Sequence, residues 1–287
     1  MSPVRKVLML HGYSQNASIF NKRMAAIRKA CKDTEFIFID APHVLLPADI
    51  PSSWSLDAPE VSTSSSDPAL TPRGWFRSNP ERTIADGMEE SLDVIGEVLK
   101  GGKFDGVFGF SQGAAMAAVV SAALEKPHLY PSFLSNGEPI HPPLKFCVSV
   151  SGFFPPGSIS QALLKPSYST PTLHVLGRND VIVVEERSRK LVEVSQERRV
   201  EEHDGGHFVP AKASWRNFFR DYIKDPVGPV PSPGRSVSSS ATPEPPSGAV
   251  TPLLHSGMAT PAFRSGAPSP SPSLHPVSTA ESLEEGV

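Results

Sequence analysis

Cysteine is scarce: two residues, Cys31 and Cys147, in a chain of 287. They fall in stretches that read as a helix end and a buried strand, so a reducing compartment is expected and a disulfide framework is not. Charge of one sign is missing as well. Lys and Arg number 27 against 30 Asp and Glu, a formal net charge of −3, and no dense basic run offers a footprint for nucleic acid or an anionic membrane. Long apolar runs are absent; "MSPVRKVLMLHG" holds only a short one before a His-Gly turn, too little for a signal-peptide core or a membrane span. A cytoplasmic protein is expected, with the nucleus also open. His43, His128, His141, His174, His255 and His275 are scattered without metal-ligand spacing, so neither metal nor cofactor is expected.

Proline is abundant, with 31 residues, and its distribution divides the chain. From about Pro226 onward Pro, Ser, Gly and Thr dominate, and such a segment cannot bury enough apolar surface to offset the entropy of ordering. Residues 227–287 are therefore expected to be disordered. They contain a nine-residue repeat, "TPEPPSGAV", "TPLLHSGMA" and "TPAFRSGAP", starting at Thr242, Thr251 and Thr260, with a fainter copy from Ser269. A β-helix would need stacked apolar positions, which these repeats lack. Duplication of a disordered segment is the plain reading; a kinase substrate or docking segment with proline-directed sites is the sharper one.

Residues 1–226 read as one α/β domain. "KVLMLHG", "EFIFID", "FDGVFGF", "KFCVSVSGFF", "TLHVLG" and "RRVEEHDG" are short apolar strand signals. Helical patterns lie between them near 18–32, 81–100, 112–125, 184–196 and 211–223. The expectation is a mostly parallel sheet with helices on both faces. Residues 44–74, a Pro/Ser-rich stretch without periodicity, are expected to form a flap with a mobile middle, its "RGWF" end packed near a site.

"VFGFSQGAAM" places Ser111 between Gly109 and Gly113, after a strand signal and before a helix signal. Gly-x-Ser-x-Gly alone is weak, with a chance occurrence on the order of one in ten for this length. Its placement on a strand-to-helix turn is what a nucleophile elbow requires. A serine hydroxyl needs a base to take its proton and an acid to orient the base. Asp180 follows the strand "TLHVLG", and His207 follows "RRVEEHD" on a glycine-flanked loop, giving the order Ser111, Asp180, His207. His203 and Asp204 are rivals for base and acid, but His203 falls within the strand pattern. The oxyanion that forms during acyl transfer needs N–H donors. The backbone N–H of Gln112 is one; Tyr13, with Ser14 as runner-up, is the expected second, in the loop "LHGYSQN". Trp75, Phe76, Phe153, Phe154 and Phe208 are candidates to line an apolar acyl pocket.

Taken in order, "LMLHGYSQNASIF", "FIDAPH", "RGWF", "FDGVFGFSQGAAMA", "FCVSVSGFFP", "PTLHVLGRNDVIV" and "HDGGHFVP" resemble the FSH serine hydrolases, which include the ovarian cancer-associated gene 2 type esterases. The resemblance runs from about Val4 to Tyr222. It implies an α/β-hydrolase fold and a metal-free esterase or thioesterase acting on small-molecule or carrier-bound acyl substrates, some members releasing polyketide chains. Ser111 is then nucleophile, Asp180 acid and His207 base. "GFSQGAAMA" is also similar to acyl-protein thioesterases, although those usually open with His-Gly-x-Gly-Asp where this chain has "HGYSQN". A non-catalytic interaction protein with a phospho-regulated tail is the reading from a different class.

Overall fold

The computed structural model describes residues 4–50, 67 and 70–233. The middle of the 44–74 stretch and the repeats at Thr242, Thr251 and Thr260 lie outside the described residues.

In chain order the elements are β1 (Arg5–Leu10), α1 (Ala17–Arg23), α2 (Ala25–Ala30), β2 (Thr34–Ile39), β3 (His43–Val44), β4 (Arg73–Gly74), α3 (Met88–Lys100), β5 (Gly106–Phe110) and α4 (Gln112–Glu125). There follow β6 (Leu134–Ser135), β7 (Glu138–Pro139), β8 (Phe146–Val150), α5 (Ser158–Leu164), β9 (Thr172–Gly177), α6 (Glu185–Glu193), β10 (Arg198–His203) and α7 (Ala213–Lys224). Six strands form the main sheet in the order β10-β9-β8-β5-β1-β2, every pair parallel.

Both faces of this sheet are covered, and strand side chains alternate between two apolar layers. Leu8, Leu10, Val107 and Cys147 face the layer built with α3, α4 and α5. Val7, Met9, Phe108, Phe146 and Val148 face the layer built with α1, α2 and α7. Helix α7 shows how a stripe closes that layer. Trp215, Phe218, Phe219, Tyr222 and Ile223 recur at helical spacing and all are buried, each contributing roughly 1.5–3 kcal/mol of burial.

Several helix boundaries differ from expectation for local reasons. The pattern near 81–100 becomes helical only at Met88, because Gly87 takes a left-handed φ of 84° at the start of α3. A Cβ there would stand 2.3 Å from His43 Nε2, so the approach of His43 demands glycine. Residues 79–84 instead wind about Asn79, whose side chain accepts from the N–H groups of Thr83 and Ile84. The pattern near 18–32 is interrupted at Met24 and forms two short helices. Helix α5, seven residues after "FFPPG", had no distinguishable signal in the sequence.

Candidate active site

Ser111 joins β5 to α4 with φ 54° and ψ −116°, a conformation that L-residues rarely adopt. Such a position costs on the order of 1–3 kcal/mol and persists only where the surroundings impose it. Here they do. A Cβ on Gly109 would lie 2.2 Å from Gly113 O, and one on Gly113 would lie 2.2 Å from Leu10 O. The two glycines therefore let β5, the start of α4 and the end of β1 converge. The Ser111 N–H donates to Val150 O at 2.8 Å, and Ser111 O accepts from Ala114 and Ala115. The side chain is left at the carboxyl edge of the sheet.

Two later strand ends, those of β9 and β10, deliver the partners. Asp180, in the turn after β9, accepts at Oδ1 from the N–H groups of Ile182 and Val183, at 3.0 and 2.8 Å. Its Oδ2 stands 2.8 Å from His207 Nδ1, and His207 Nε2 stands 2.9 Å from Ser111 Oγ. A carboxylate can only accept, so Nδ1 carries the proton and Nε2 accepts from the serine hydroxyl. Burial opposes ionisation of Asp180, but hydrogen bonding and charge from His207, with the Val183 N–H, outweigh it and hold the carboxyl below its ordinary range. The His207 ring packs against Phe110 at 4.9 Å. Gly205 and Gly206 bring its loop against the end of β9, where a Cβ on Gly177 would meet Gly206 O at 2.5 Å.

The rivals are engaged elsewhere. His203 Nδ1 accepts from the Gly205 N–H at 3.1 Å, and burial pushes its pKa down. Asp204 is exposed and paired with Arg178 at 2.8 Å.

The loop after β1 lies against the elbow, close enough that a Cβ on Gly12 would touch the Phe110 ring at 2.9 Å. His11 anchors it. Fully buried, it donates from Nδ1 to Gly12 O and accepts at Nε2 from the Ala41 N–H, at 2.8 and 3.0 Å. Burial pushes its pKa down to about 4, so it is neutral. The Ser14 N–H is committed to Arg73 O at 2.9 Å, which disfavours the runner-up donor. Tyr13 lines the cavity beside Ser111, and its hydroxyl donates to Asp49 O. The Gln112 N–H belongs to the first turn of α4, where no preceding carbonyl of the helix can accept from it.

The side chain of Gln112 has a role that the sequence did not disclose. Its Oε1 accepts from the Trp75 N–H at 2.8 Å and its Nε2 donates to Phe76 O at 2.6 Å. The Trp75 indole donates to His11 O at 2.8 Å. One amide thus ties the elbow to the "GWF" segment, which in turn braces the loop after β1.

A cavity of about 650 Å³ opens beside Ser111, with Phe76, Phe153 and Phe154 on its walls. Two of the five aromatic candidates stand apart from it. Trp75 is fully buried in the core layer, its ring turned to His11. Phe208 is about half exposed and packs against His203 at 5.1 Å with the rings tilted by 57°. Among the described residues no helix is long and apolar enough to cross a membrane, and no group of three or more His, Cys, Asp and Glu is placed to hold a metal.

A parallel sheet with a strained serine between strand and helix, followed by an acid and a histidine on later strand ends, is the architecture of an α/β hydrolase. Within that class, residues 1–219 match the model of the family described as serine hydrolase (FSH1), and the chain belongs to this family of hydrolases. It is 33% identical over 231 residues to the protein of Danio rerio named Esterase OVCA2, covering 76% of this chain and 96% of that protein. The Homo sapiens protein of the same name is 31% identical over 230 residues, with 76% and 95% covered. Among solved structures, acyl-protein thioesterase 2 of Zea mays aligns over 79% of this chain and 96% of its own with a TM-score of 0.52. At 16% identity that likeness concerns the fold.

Proposed function

We propose that the protein hydrolyses carboxylic esters or thioesters through an acyl-enzyme on Ser111. The observation that carries this reading is the hydrogen-bonded series from Ser111 Oγ through His207 to Asp180, with links of 2.9 and 2.8 Å. His207 Nε2 takes the hydroxyl proton as Oγ adds to the substrate carbonyl. Asp180 holds the imidazole in the required tautomer and stabilises the imidazolium that forms. The oxyanion is met by the backbone N–H groups of Gln112 and Tyr13, the first with the favourable end of the α4 dipole behind it. Collapse of the tetrahedral intermediate expels the alcohol or thiol, which leaves with the proton from His207. Water then adds to the acyl carbon, His207 taking its proton and returning it to Ser111 Oγ as the carboxylic acid departs. No cofactor is needed. Phe76, Phe153 and Phe154 suit an apolar acyl chain.

Ester and thioester pass through the same intermediate, so an acyl-protein thioesterase or a thioesterase releasing carrier-bound polyketide chains uses the same groups. The hydrolase domain is taken as residues 1–226, and 227–287 as a tail acting as a kinase substrate or docking segment in the cytoplasm or nucleus. Ser111→Ala in the full chain tests the reading. Hydrolysis of p-nitrophenyl esters should fall at least about 10³-fold, and labelling by a fluorophosphonate probe should vanish. Undiminished hydrolysis by the variant would end it, and an unlabelled wild-type protein would favour the interaction-protein alternative.

A further inference from the structure

The cavity beside Ser111 is not wholly apolar. Arg187 and Lys190, one turn apart on α6, and Arg82, on the turn that winds about Asn79, contribute to its lining. Among the described residues none of the three is ion-paired with a carboxylate. The carboxylates nearby are occupied or turned to solvent. Asp49 accepts from the Leu46 N–H and pairs with Arg77; Glu81 is exposed and accepts from Asn79; Asp180 is bonded to His207.

Arg187 is the least expected of the three. Its guanidinium lies 4.5 Å from the centre of the Phe153 ring, and its Nη1 donates to Ile182 O. Burial, and then repulsion from Arg82, push its pKa down to about 10. A half-buried guanidinium that shares a cavity wall with a second arginine is unfavourable, an effect that Asp180 offsets only in part, and an anion bound by both reverses the sign of that interaction. Arginine donors arranged over an aromatic wall suit a planar carboxylate or a phosphate.

We propose that the substrate carries an anionic group, carboxylate or phosphate, which Arg187, Arg82 and Lys190 bind while its carbonyl is presented to Ser111. This deepens the reading of Ser111 as the acylated residue and rests on it for the second half of that statement. Two sources share the chemistry: a terminal carboxylate on the acyl chain, or the phosphates of a pantetheine-type thiol leaving group. Neutral long-chain esters would leave the three cations unused.

The test uses the full chain carrying Ser111→Ala, so that binding is read without turnover. Dissociation constants are measured for two matched pairs: methyl hydrogen glutarate against methyl pentanoate, and butyryl-coenzyme A against S-butyryl-N-acetylcysteamine. The anionic member of at least one pair should bind about tenfold more tightly, the scale of a charge-assisted hydrogen bond. Adding Arg82→Gln and Lys190→Gln should remove most of that preference, and Lys190→Gln alone, a change at an exposed side chain, should reduce it. A preference confined to the first pair identifies an acyl carboxylate; one confined to the second identifies leaving-group phosphate. Equal affinities within both pairs, or a preference that survives the substitutions, would overturn the proposal. Turnover of p-nitrophenyl butyrate by the wild-type chain reports separately on the hydrolase reading.

Discussion

Replacing Gln112 with leucine separates two roles that the position combines. The side chain is almost the same size, so packing is largely kept, but both hydrogen bonds to the "GWF" segment are lost. Trp75 and Phe76 are 0% and 1% exposed, so water cannot take over for the Trp75 N–H or the Phe76 carbonyl. A buried polar group left unpaired costs about 1–3 kcal/mol, and two such groups set a loss of roughly 2–6 kcal/mol. With a urea m-value of about 2–3 kcal/mol/M for a domain of this size, the midpoint of unfolding should drop by about 1 M or more. The backbone N–H is untouched, so kcat on a small p-nitrophenyl ester should fall less than about tenfold wherever the variant is folded. Urea unfolding followed by tryptophan fluorescence, with kcat at low denaturant, reads both quantities. An unchanged midpoint together with a hundredfold loss of kcat would refute the reasoning and place the side chain in the chemistry.

Gly113→Ala should prevent accumulation of folded protein or cost more than about 3 kcal/mol by thermal melting, since its Cβ would meet Leu10 O at 2.2 Å and His11 O at 2.4 Å. Asp180→Asn should lower kcat by about 10³–10⁴-fold with binding of substrate little changed, because an amide no longer enforces the Nδ1–H tautomer of His207; kinetics on a p-nitrophenyl ester measure it. Acid should weaken the fold through its buried histidines. His11 and His174 have pKa values pushed down by burial to about 4 and about 3. The unfolded chain therefore takes up protons near pH 6.5 that the folded chain refuses, and stability falls as pH drops from about 6.5 toward 4. At pH 5 each residue should have cost about 2 kcal/mol. His174→Leu, which removes a buried Nε2 without a partner, should shrink the stability difference between pH 7 and pH 5, read by urea unfolding, by about 2 kcal/mol, with His141 and His203, also lowered by burial, supplying part of the remainder. Asp180 loses its own contribution only below the ordinary carboxylate range, so the two windows are separable.

The sheet was readable because strands buried on both faces are short apolar runs with no polar alternation to confuse them, as in "VLML" and "FCVSV". Helix starts were not. The start of α3 depends on Gly87 yielding to His43, a residue forty-four positions earlier, and the break at Met24 leaves Phe20, Met24 and Ile27 all facing one buried layer. Helical period cannot register an interruption that preserves its own stripe. The order of Ser111, Asp180 and His207 was legible since each closes a strand whose position in the sheet follows from the fold. The cavity walls were not legible, because an aromatic identity does not say which way a side chain turns. Trp75 and Phe76 are adjacent, yet one braces His11 and the other lines the cavity. Arg187 was hidden for another reason. On an amphipathic helix a charge reads as a solvated face, and only the folded chain brings the Asn79 turn opposite it.

The elbow and its partners are held by different kinds of structure, and this decides how damage to each will appear. Ser111 is clamped by β1, β5, β8 and the "GWF" segment at once: its N–H is bonded to Val150, its glycines are in contact with backbone, and its neighbour Gln112 is bonded at both ends. A strained φ requires that redundancy, so substitutions of Gly109 or Gly113, which move the backbone itself, lower stability and activity together. Asp180 and His207 sit on loops fixed mainly by the ends of β9 and β10, and β10 is an edge strand that pairs with β9 alone. Substitutions there can displace the acid or the base by a fraction of an ångström while the core stays intact. Away from the reacting side chains themselves, activity lost without stability therefore points to the β9 and β10 loops, and the two lost together point to the glycines of the elbow.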